Sequence, residues 1–312
     1  MRRILVTGAA GFIGRHFVRY LLDKTDWHIT VLDRLGEGSK LADLWGLPRV
    51  EFEWHDLRAP MRAVSAQYRY IVHMAAGSHV DRSIKDPLGF VADNVVGTAH
   101  MLEFARRVDG LEKFLHFSTD EVFGAAANGK AFDEYDSFYP TNPYSASKAA
   151  AEALCPAWAN TFGLPIVVTR CTNVAGPGQD GEKFIPSTIA KVGRGEVVQI
   201  HSRNGAASSR KYIDVADVCS AAHTVLTRGG VISGRGSGCY NIAGETDYSN
   251  VDVAARIAEL MGKTLAWELV EDPPGRPRPD LRYDLNNARL RNLGWEQRVP
   301  LESTLKRILA CG

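Results

Sequence analysis

The stretch that most constrains this fold lies at the N-terminus. Arg3 to Thr7 reads as a short buried strand and runs into Thr7-Gly8-Ala9-Ala10-Gly11-Phe12-Ile13-Gly14, followed by an amphipathic run to Leu22. Strand, glycine turn and helix in that order let a backbone approach a pyrophosphate, whose charge the helix N-terminus favours. The spacing is G-x-x-G-x-x-G; the lesser alternative is a tight turn without a ligand. A second strand, His28 to Leu32, ends at Asp33. An acid there accepts hydrogen bonds from an adenosine ribose and repels a 2′-phosphate, which favours NAD over NADP. Arg34 follows at once and works against that preference.

The same alternation continues. Val50 to Trp54 is a third strand, with Asp56 and Leu57 just beyond it; Asp56 is expected near an adenine, with an ordinary loop aspartate the close alternative. Tyr70 to Met74 is a fourth strand and leads into Ala75, Ala76, Gly77 and Ser78, small residues that let backbone lie against a cofactor. A single long helix is expected from Pro87 to Arg107, a strand from Phe114 to Phe117, a helix from Tyr144 to Phe162 and a strand from Pro165 to Thr169. Strands and helices alternating at this spacing predict an α/β, Rossmann-like, doubly wound parallel sheet. From Arg170 the character changes. A helix over Ile185–Val192, strands over Val197–His201, Cys239–Ala243 and Leu265–Val270, and a helix over Val251–Met261 make a smaller α/β unit, while Tyr212 to Leu226 returns to the first. The tail, Asn286 to Leu309, reads as helical around a turn at Gly294.

Bulk properties exclude several classes. The 312 residues, 45% hydrophobic and 23% charged, suit a soluble globular protein of one or two domains. A net charge of +1 offers no reason to expect nucleic acid or an anionic membrane as partner. Cys155, Cys171, Cys219, Cys239 and Cys311 are scattered and form no C-x-x-C, so neither a disulfide framework nor a zinc site is expected. With no signal h-region and no membrane-length apolar run, the reading is a cytoplasmic protein without metal.

The chemistry is expected between Phe117 and Lys148. Thr119, Asp120 and Glu121 emerge at the C-terminal end of a strand, the edge where open α/β sheets place ligands. Tyr144 and Lys148 are four apart behind the helix-start signal Asn142-Pro143, and so share a helix face. The ammonium there is expected to lower the phenol from its ordinary pKa of about 10, making a base for a sugar or alcohol hydroxyl. Y-x-x-x-K alone is a weak pattern; the carboxylate pair and the glycine turn give it weight. Pro156 removes a backbone donor inside this helix and is expected to kink or end it. Arg276, Arg278 and Arg282, with Arg210 on another loop, are either a solvated loop or, the favoured reading, a phosphate clamp. His79 is not taken as a metal ligand.

Together these motifs resemble the extended short-chain dehydrogenase/reductases, and within them the dTDP-glucose 4,6-dehydratases. The resemblance covers Arg3 to Trp295 and is most specific at Ser78-His79-Val80-Asp81-Arg82-Ser83-Ile84 and Ser118-Thr119-Asp120-Glu121-Val122-Phe123-Gly124. Tyr144 to Lys148, Glu182-Lys183-Phe184-Ile185-Pro186 and Arg276 to Tyr283 add to it. It implies NAD as cofactor, a nucleotide-sugar substrate and a homodimer packed through the Tyr144 helix. It assigns residues 1–172, with 211–230 returning, to NAD binding, and 173–210 with 239–312 to an interleaved substrate domain.

By the same resemblance Tyr144 is the base toward the sugar 4-hydroxyl and Lys148 also holds the nicotinamide ribose. Thr119 bonds the same sugar oxygen. Asp120 is the acid toward the 6-hydroxyl and Glu121 the base at C5. Gly8, Gly11, Phe12, Ile13, Gly14, Asp33, Asp56, Leu57, Ala75 and Ala76 surround the cofactor. Ser78, His79, Asn173, Glu182, Lys183, Arg210 and Arg276 meet the substrate. The reaction expected is C4 oxidation, loss of water across C5–C6 and hydride return to C6. Two adjacent carboxyls then need opposite protonation states, which a desolvated site can impose. The acid pair speaks against the related 4-epimerases; a uronic-acid decarboxylase is the other rival. A non-catalytic NAD-binding regulator would be expected to have lost Tyr144 or Lys148. Four positions depart from the pattern: Gly77 for a glutamate, Val174-Ala175 for Asn-Tyr, and Lys211 for an aspartate.

Overall fold

The computed structural model describes residues 2–61, 67–127, 129–271 and 280–311. The first half builds β1 (Arg3–Thr7), α1 (Phe12–Lys24), β2 (His28–Asp33), β3 (Val50–Trp54) and β4 (Tyr70–His73). Then come α2 (Val80–Lys85), α3 (Pro87–Val91), α4 (Gly97–Ala105), β5 (Lys113–Thr119), α5 (Pro143–Phe162) and β6 (Ile166–Cys171). The second half contributes β7 (Val174–Ala175), α6 (Phe184–Arg194), β8 (Val198–Arg203), β9 (Ala206–Ala207), β10 (Ser209–Lys211), β11 (Ile213–Asp214), α7 (Val215–Arg228) and β12 (Cys239–Ile242). It ends with β13 (Asp247–Ser249), α8 (Asn250–Leu260), β14 (Trp267–Val270), β15 (Arg282–Tyr283), α9 (Ala288–Arg291) and α10 (Leu301–Ala310).

Seven strands form one sheet in the order β12-β6-β5-β4-β1-β2-β3, and every pairing in it is parallel. Parallel strands are covered on both faces, so their residues are apolar in succession rather than in alternation. Ile4 and Val6 join one core with Phe17, Leu21 and Val218, whereas Leu5 joins the other with Met101, Phe114 and Ile166. The C-terminal ends of β1, β2, β4 and β5 bring Gly8, Asp33, Met74 and Thr119 to one edge, where the site lies.

Four expectations are corrected. Cys239–Ile242, assigned above to the substrate domain, is the edge strand of the main sheet beside β6. It is buried on both faces, which only a sandwiched strand allows. The single helix over Pro87–Arg107 is instead α3, a π-helical turn at Ala92–Val96, and α4. Asn94 accounts for the turn. Its side chain accepts from Gly77 N at 2.8 Å and donates to Gly77 O at 3.1 Å and Ser147 Oγ at 2.8 Å. Such turns allow a side chain to be re-aimed within a helix. The third correction is α5, which does not end at Pro156. Proline there removes only the donor to the Glu152 carbonyl. The helix is held at both ends, by an Asn142–Ser145 capping box and a left-handed Gly163. The tail is helical only in α9 and α10, with 292–300 outside any helix. The Asp214 carboxylate accepts from Thr304 Oγ1 at 2.6 Å and also pairs with Arg307, anchoring α10.

The smaller unit contains the sheets β14-β8-β9 and β13-β10-β15, with α6 and α8 packed over Val198 and Ile200. Among the described residues, no helix is long and apolar enough to cross a membrane.

Candidate active site

The glycine turn is shaped as a cradle. Gly8 has φ 68°, and a Cβ there would lie 2.6 Å from the backbone of Ala75. A Cβ on Gly14 would run into the Gly8 carbonyl. Backbone is therefore laid against backbone, as a pyrophosphate site at a helix N-terminus requires. Phe12 and Ile13 open α1, Gly11 closes the turn, and Ala76 is exposed beside it. Asp33 ends β2 and accepts from Ala10 N at 3.0 Å and Leu35 N at 2.8 Å, which fixes its carboxylate at the turn. Arg34 is diverted. Its guanidinium forks onto Asp93 at 2.5 and 2.7 Å and lies 3.7 Å from Asp56. The Asp56 carboxyl is pulled down to about 2, first by its hydrogen bond with Arg58. Leu57 is buried, and its carbonyl pairs with the His100 ring at 2.7 Å. These residues suit a dinucleotide with an unphosphorylated ribose.

The reacting groups converge at the end of β5. Thr119 Oγ1 donates to Asp120 Oδ1 at 3.1 Å. Asp120 is 4% exposed, and its Oδ2 has no partner among the described residues. Burial, and then the Glu121 charge, hold the Asp120 carboxyl up to about 7. Glu121 sits one residue on, where Oε2 accepts from Asn142 Nδ2 at 3.2 Å and lies 3.4 Å from Tyr283 Oη. Tyr283 also donates to Asp280 Oδ2 at 2.9 Å, and Thr141 pairs with the same oxygen. Asn142 was read only as a helix start, and Tyr283 only as part of a matching stretch. Neither carried a sign in sequence of reaching the carboxylates.

Tyr144 and Lys148 do share the face of α5 turned to this edge, both deeply buried. The expected downward shift of the phenol is not found. Burial first, and then Glu121, raise it, against a lowering contribution from a Thr119 hydrogen bond. Lys148 directs its ammonium to the Phe117 carbonyl at 2.7 Å and is itself lowered to about 8 by burial.

The substrate side is built from two loops. Lys183 Nζ donates to the Ser78 carbonyl at 2.9 Å, and His79 Nδ1 lies 3.0 Å from Glu182 Oε2. His79, Asp180 and Glu182 bring ligand-type atoms within 4.8 Å of one another, but Arg82 already neutralises Glu182 at 2.9 Å. Asn173 is exposed, and its carbonyl accepts from Ile213 N at 3.0 Å. Arg210 stacks 4.6 Å over Tyr283 and donates to the Leu281 carbonyl at 2.6 Å and the Asp280 carbonyl at 2.8 Å. It thus anchors the segment that follows Arg276 and Arg278, which lie outside the described residues. Arg282 is not part of a clamp: it is spent on Asp247 at 2.7 Å, on Asp284 and on two loop carbonyls. The departures have local reasons. Lys211 pairs with the buried Asp284 at 2.6 Å. Val174 and Ala175 pair with β11. A Cβ on Gly77 would meet the Phe90 ring at 3.0 Å, so a glutamate there would displace Phe90.

A parallel sheet with a dinucleotide cradle at its edge, and a buried tyrosine and lysine on the helix facing it, defines a nucleotide-dependent dehydrogenase of the short-chain type. Comparison with known proteins narrows this. The model of the "NAD dependent epimerase/dehydratase family" matches residues 4–243, and the chain belongs to that family. A dTDP-glucose 4,6-dehydratase of Streptomyces niveus is 40% identical over 308 residues, covering 95% of this chain and 88% of its own. The low-salt glycan biosynthesis protein Agl12 of Haloferax volcanii is 38% identical over 97% of this chain and 96% of its own. Among solved structures, a dTDP-glucose 4,6-dehydratase of Bacillus anthracis in complex with NAD superposes with a TM-score of 0.86 at 31% identity, covering 100% of this chain and 96% of that one.

Proposed function

We propose that the chain is an NAD-dependent nucleotide-sugar 4,6-dehydratase, a hydro-lyase, with dTDP-glucose as the favoured substrate. The observation that carries this is Asp120: a buried carboxyl kept protonated near neutrality beside Glu121, at the same edge as Tyr144. A 4-epimerase has no use for such a pair.

Gly8, Gly11, Phe12, Ile13, Gly14, Asp33, Asp56, Leu57, Ala75 and Ala76 hold the cofactor, with Lys148 at its nicotinamide ribose. Held by these residues, NAD would supply reversible hydride storage, from sugar C4 and back to C6. Tyr144 takes the 4-hydroxyl proton while Thr119 holds that oxygen. Burial first, and then the Glu121 charge, hold the phenol up, so its ionisation needs a cation beside it, and the Lys148 ammonium is the cation on its face. With C4 a ketone, the C5 proton becomes acidic, and Glu121, held by Asn142 and Tyr283, removes it. Asp120 protonates the departing 6-hydroxyl, the C6–O bond breaks and water leaves; return of hydride to C6 is matched by Glu121 giving its proton back to C5. Ser78, His79, Glu182 and Lys183 face the sugar. Asn173 and Arg210 are assigned to the nucleotide, as is Arg276, which lies outside the described residues. Residues 1–172 with 211–230 and β12 form the cofactor unit, and 173–210 with the remainder of 239–312 the substrate unit.

The protein is cytoplasmic and a homodimer in this reading. Leu88 (79% exposed), Val91, Val96 and Phe162 leave an apolar face on α3, α5 and the turn between α3 and α4, supporting association through these helices. The test of function is a panel of nucleotide hexoses incubated with purified protein and scanned by mass for loss of one water. A hexose isomerised without water loss would favour the epimerase, and loss of carbon dioxide from a uronate the decarboxylase.

A further inference from the structure

Two loops from different parts of the chain meet over the glycine turn, and one arginine joins them. The loop after β2 docks on the turn through Lys40 N, which donates to Ala10 O at 2.8 Å. The loop before α6 lies across the start of α1. Arg15 bonds the Gly178 carbonyl, and the His16 ring lies 3.0 Å from the Pro177 carbonyl. Arg82, on α2, reaches both loops. It donates to Glu37 at 2.7 and 3.1 Å on one side and to Glu182 at 2.9 and 3.2 Å on the other.

We infer that Glu37, Arg82 and Glu182 form an ionic latch that retains the dinucleotide between turnovers, with Arg82 as the positioning residue. An isolated surface pair contributes little, but a fork that bridges two carboxylates from separate loops is the case in which such pairs act together. The latch ties the loop docked on the glycine turn to the loop laid across the start of α1, so on this inference the dinucleotide leaves only when one of its two halves opens. The inference rests on the cofactor reading above. A hydride parked on the cofactor must return to the molecule it came from, and a cofactor lost in mid-cycle strands the keto sugar. Arg82 also holds Glu182 toward His79, so the same side chain registers the sugar-side loop against the cofactor-side loop.

The test is exchange of bound NAD for isotopically labelled NAD in the holoenzyme without sugar, followed by filtration and mass analysis. Glu37→Gln and Arg82→Met should each speed exchange roughly two- to fivefold. Arg82→Lys should fall between them and the parent. Exposed ion pairs are screened by salt, so exchange from the parent should quicken with sodium chloride more steeply than from either variant. The double variant should be no faster than the quicker single one. Parental exchange rates in both single variants, or effects that multiply in the double variant, would overturn the latch. A purified protein that neither carries nor takes up NAD would sink the cofactor reading and the latch together, a result separable from an unaltered exchange rate.

Discussion

The Thr119 hydroxyl donates to one oxygen of Asp120 at 3.1 Å, and the other oxygen of Asp120 is buried without a partner among the described residues. A buried polar atom left unpaired is costly unless it has work to do. A carboxyl that keeps its proton on that oxygen is a donor aimed into the site, the state a general acid needs. Its neighbour Glu121 accepts from Asn142 at 3.2 Å and lies 3.4 Å from the Tyr283 hydroxyl, so its carboxyl is held by polar groups where Asp120 is enclosed. Adjacent residues of like chemistry are thus set apart by their surroundings.

The first prediction concerns pH. Asp120 works in its protonated form, and its carboxyl is held up to about 7. The elimination rate should therefore fall as pH rises through that value. Asp120→Asn should remove this limb and cost about 10² to 10⁴ in rate. Single-turnover water loss across the pH range is the measurement. A limb that survives the substitution unchanged assigns it to another group.

The second separates oxidation from elimination. Glu121→Gln should still oxidise C4, so absorbance of the reduced cofactor should build up while solvent deuterium fails to enter C5. Tyr144→Phe should suppress that absorbance itself. If Glu121→Gln loses water at the parent rate, the carboxyl pair is structural and the dehydratase reading fails.

The third tests the tyrosine that sequence reasoning missed. Tyr283→Phe removes a hydroxyl shared between Glu121 at 3.4 Å and Asp280 at 2.9 Å. A neutral hydrogen bond contributes about 1 kcal/mol, so C5 exchange should slow roughly fivefold with C4 oxidation little changed. Equal loss in both steps would assign Tyr283 to substrate binding instead.

What the sequence conveyed and what it withheld have physical reasons. Gly8, Gly14 and the end of β2 were legible because a glycine turn between strand and helix is a local pattern. Tyr144 and Lys148 were placed on one face because helical spacing is local too. The direction of the phenol's shift was not legible, because burial and the approach of Glu121 depend on how α5 packs over β5. Cys239–Ile242 was recognised as a strand, but which sheet receives a short apolar strand is decided by tertiary pairing. Asn94 looked like any polar residue on a helix, and only its fit to the Gly77 backbone reveals why the helix bulges there.

The last prediction turns on Arg34. It adjoins Asp33, where a cation would welcome a 2′-phosphate, yet its fork is held on Asp93 at 2.5 and 2.7 Å. On the proposed reading, preference for NAD rests on two features, the Asp33 charge and the restraint on Arg34. Asp93→Asn should loosen Arg34 and strengthen NADP binding modestly while Asp33 still repels the phosphate. Asp93→Asn combined with Asp33→Ser should strengthen it by about 1.5–3 kcal/mol, the scale of a charged hydrogen bond, or roughly ten- to a hundredfold. Titration calorimetry of NAD and NADP against the parent, both single variants and the pair measures this directly. If the pair binds NADP no better than Asp33→Ser alone, Arg34 does not reach the ribose, and the specificity belongs to Asp33 by itself.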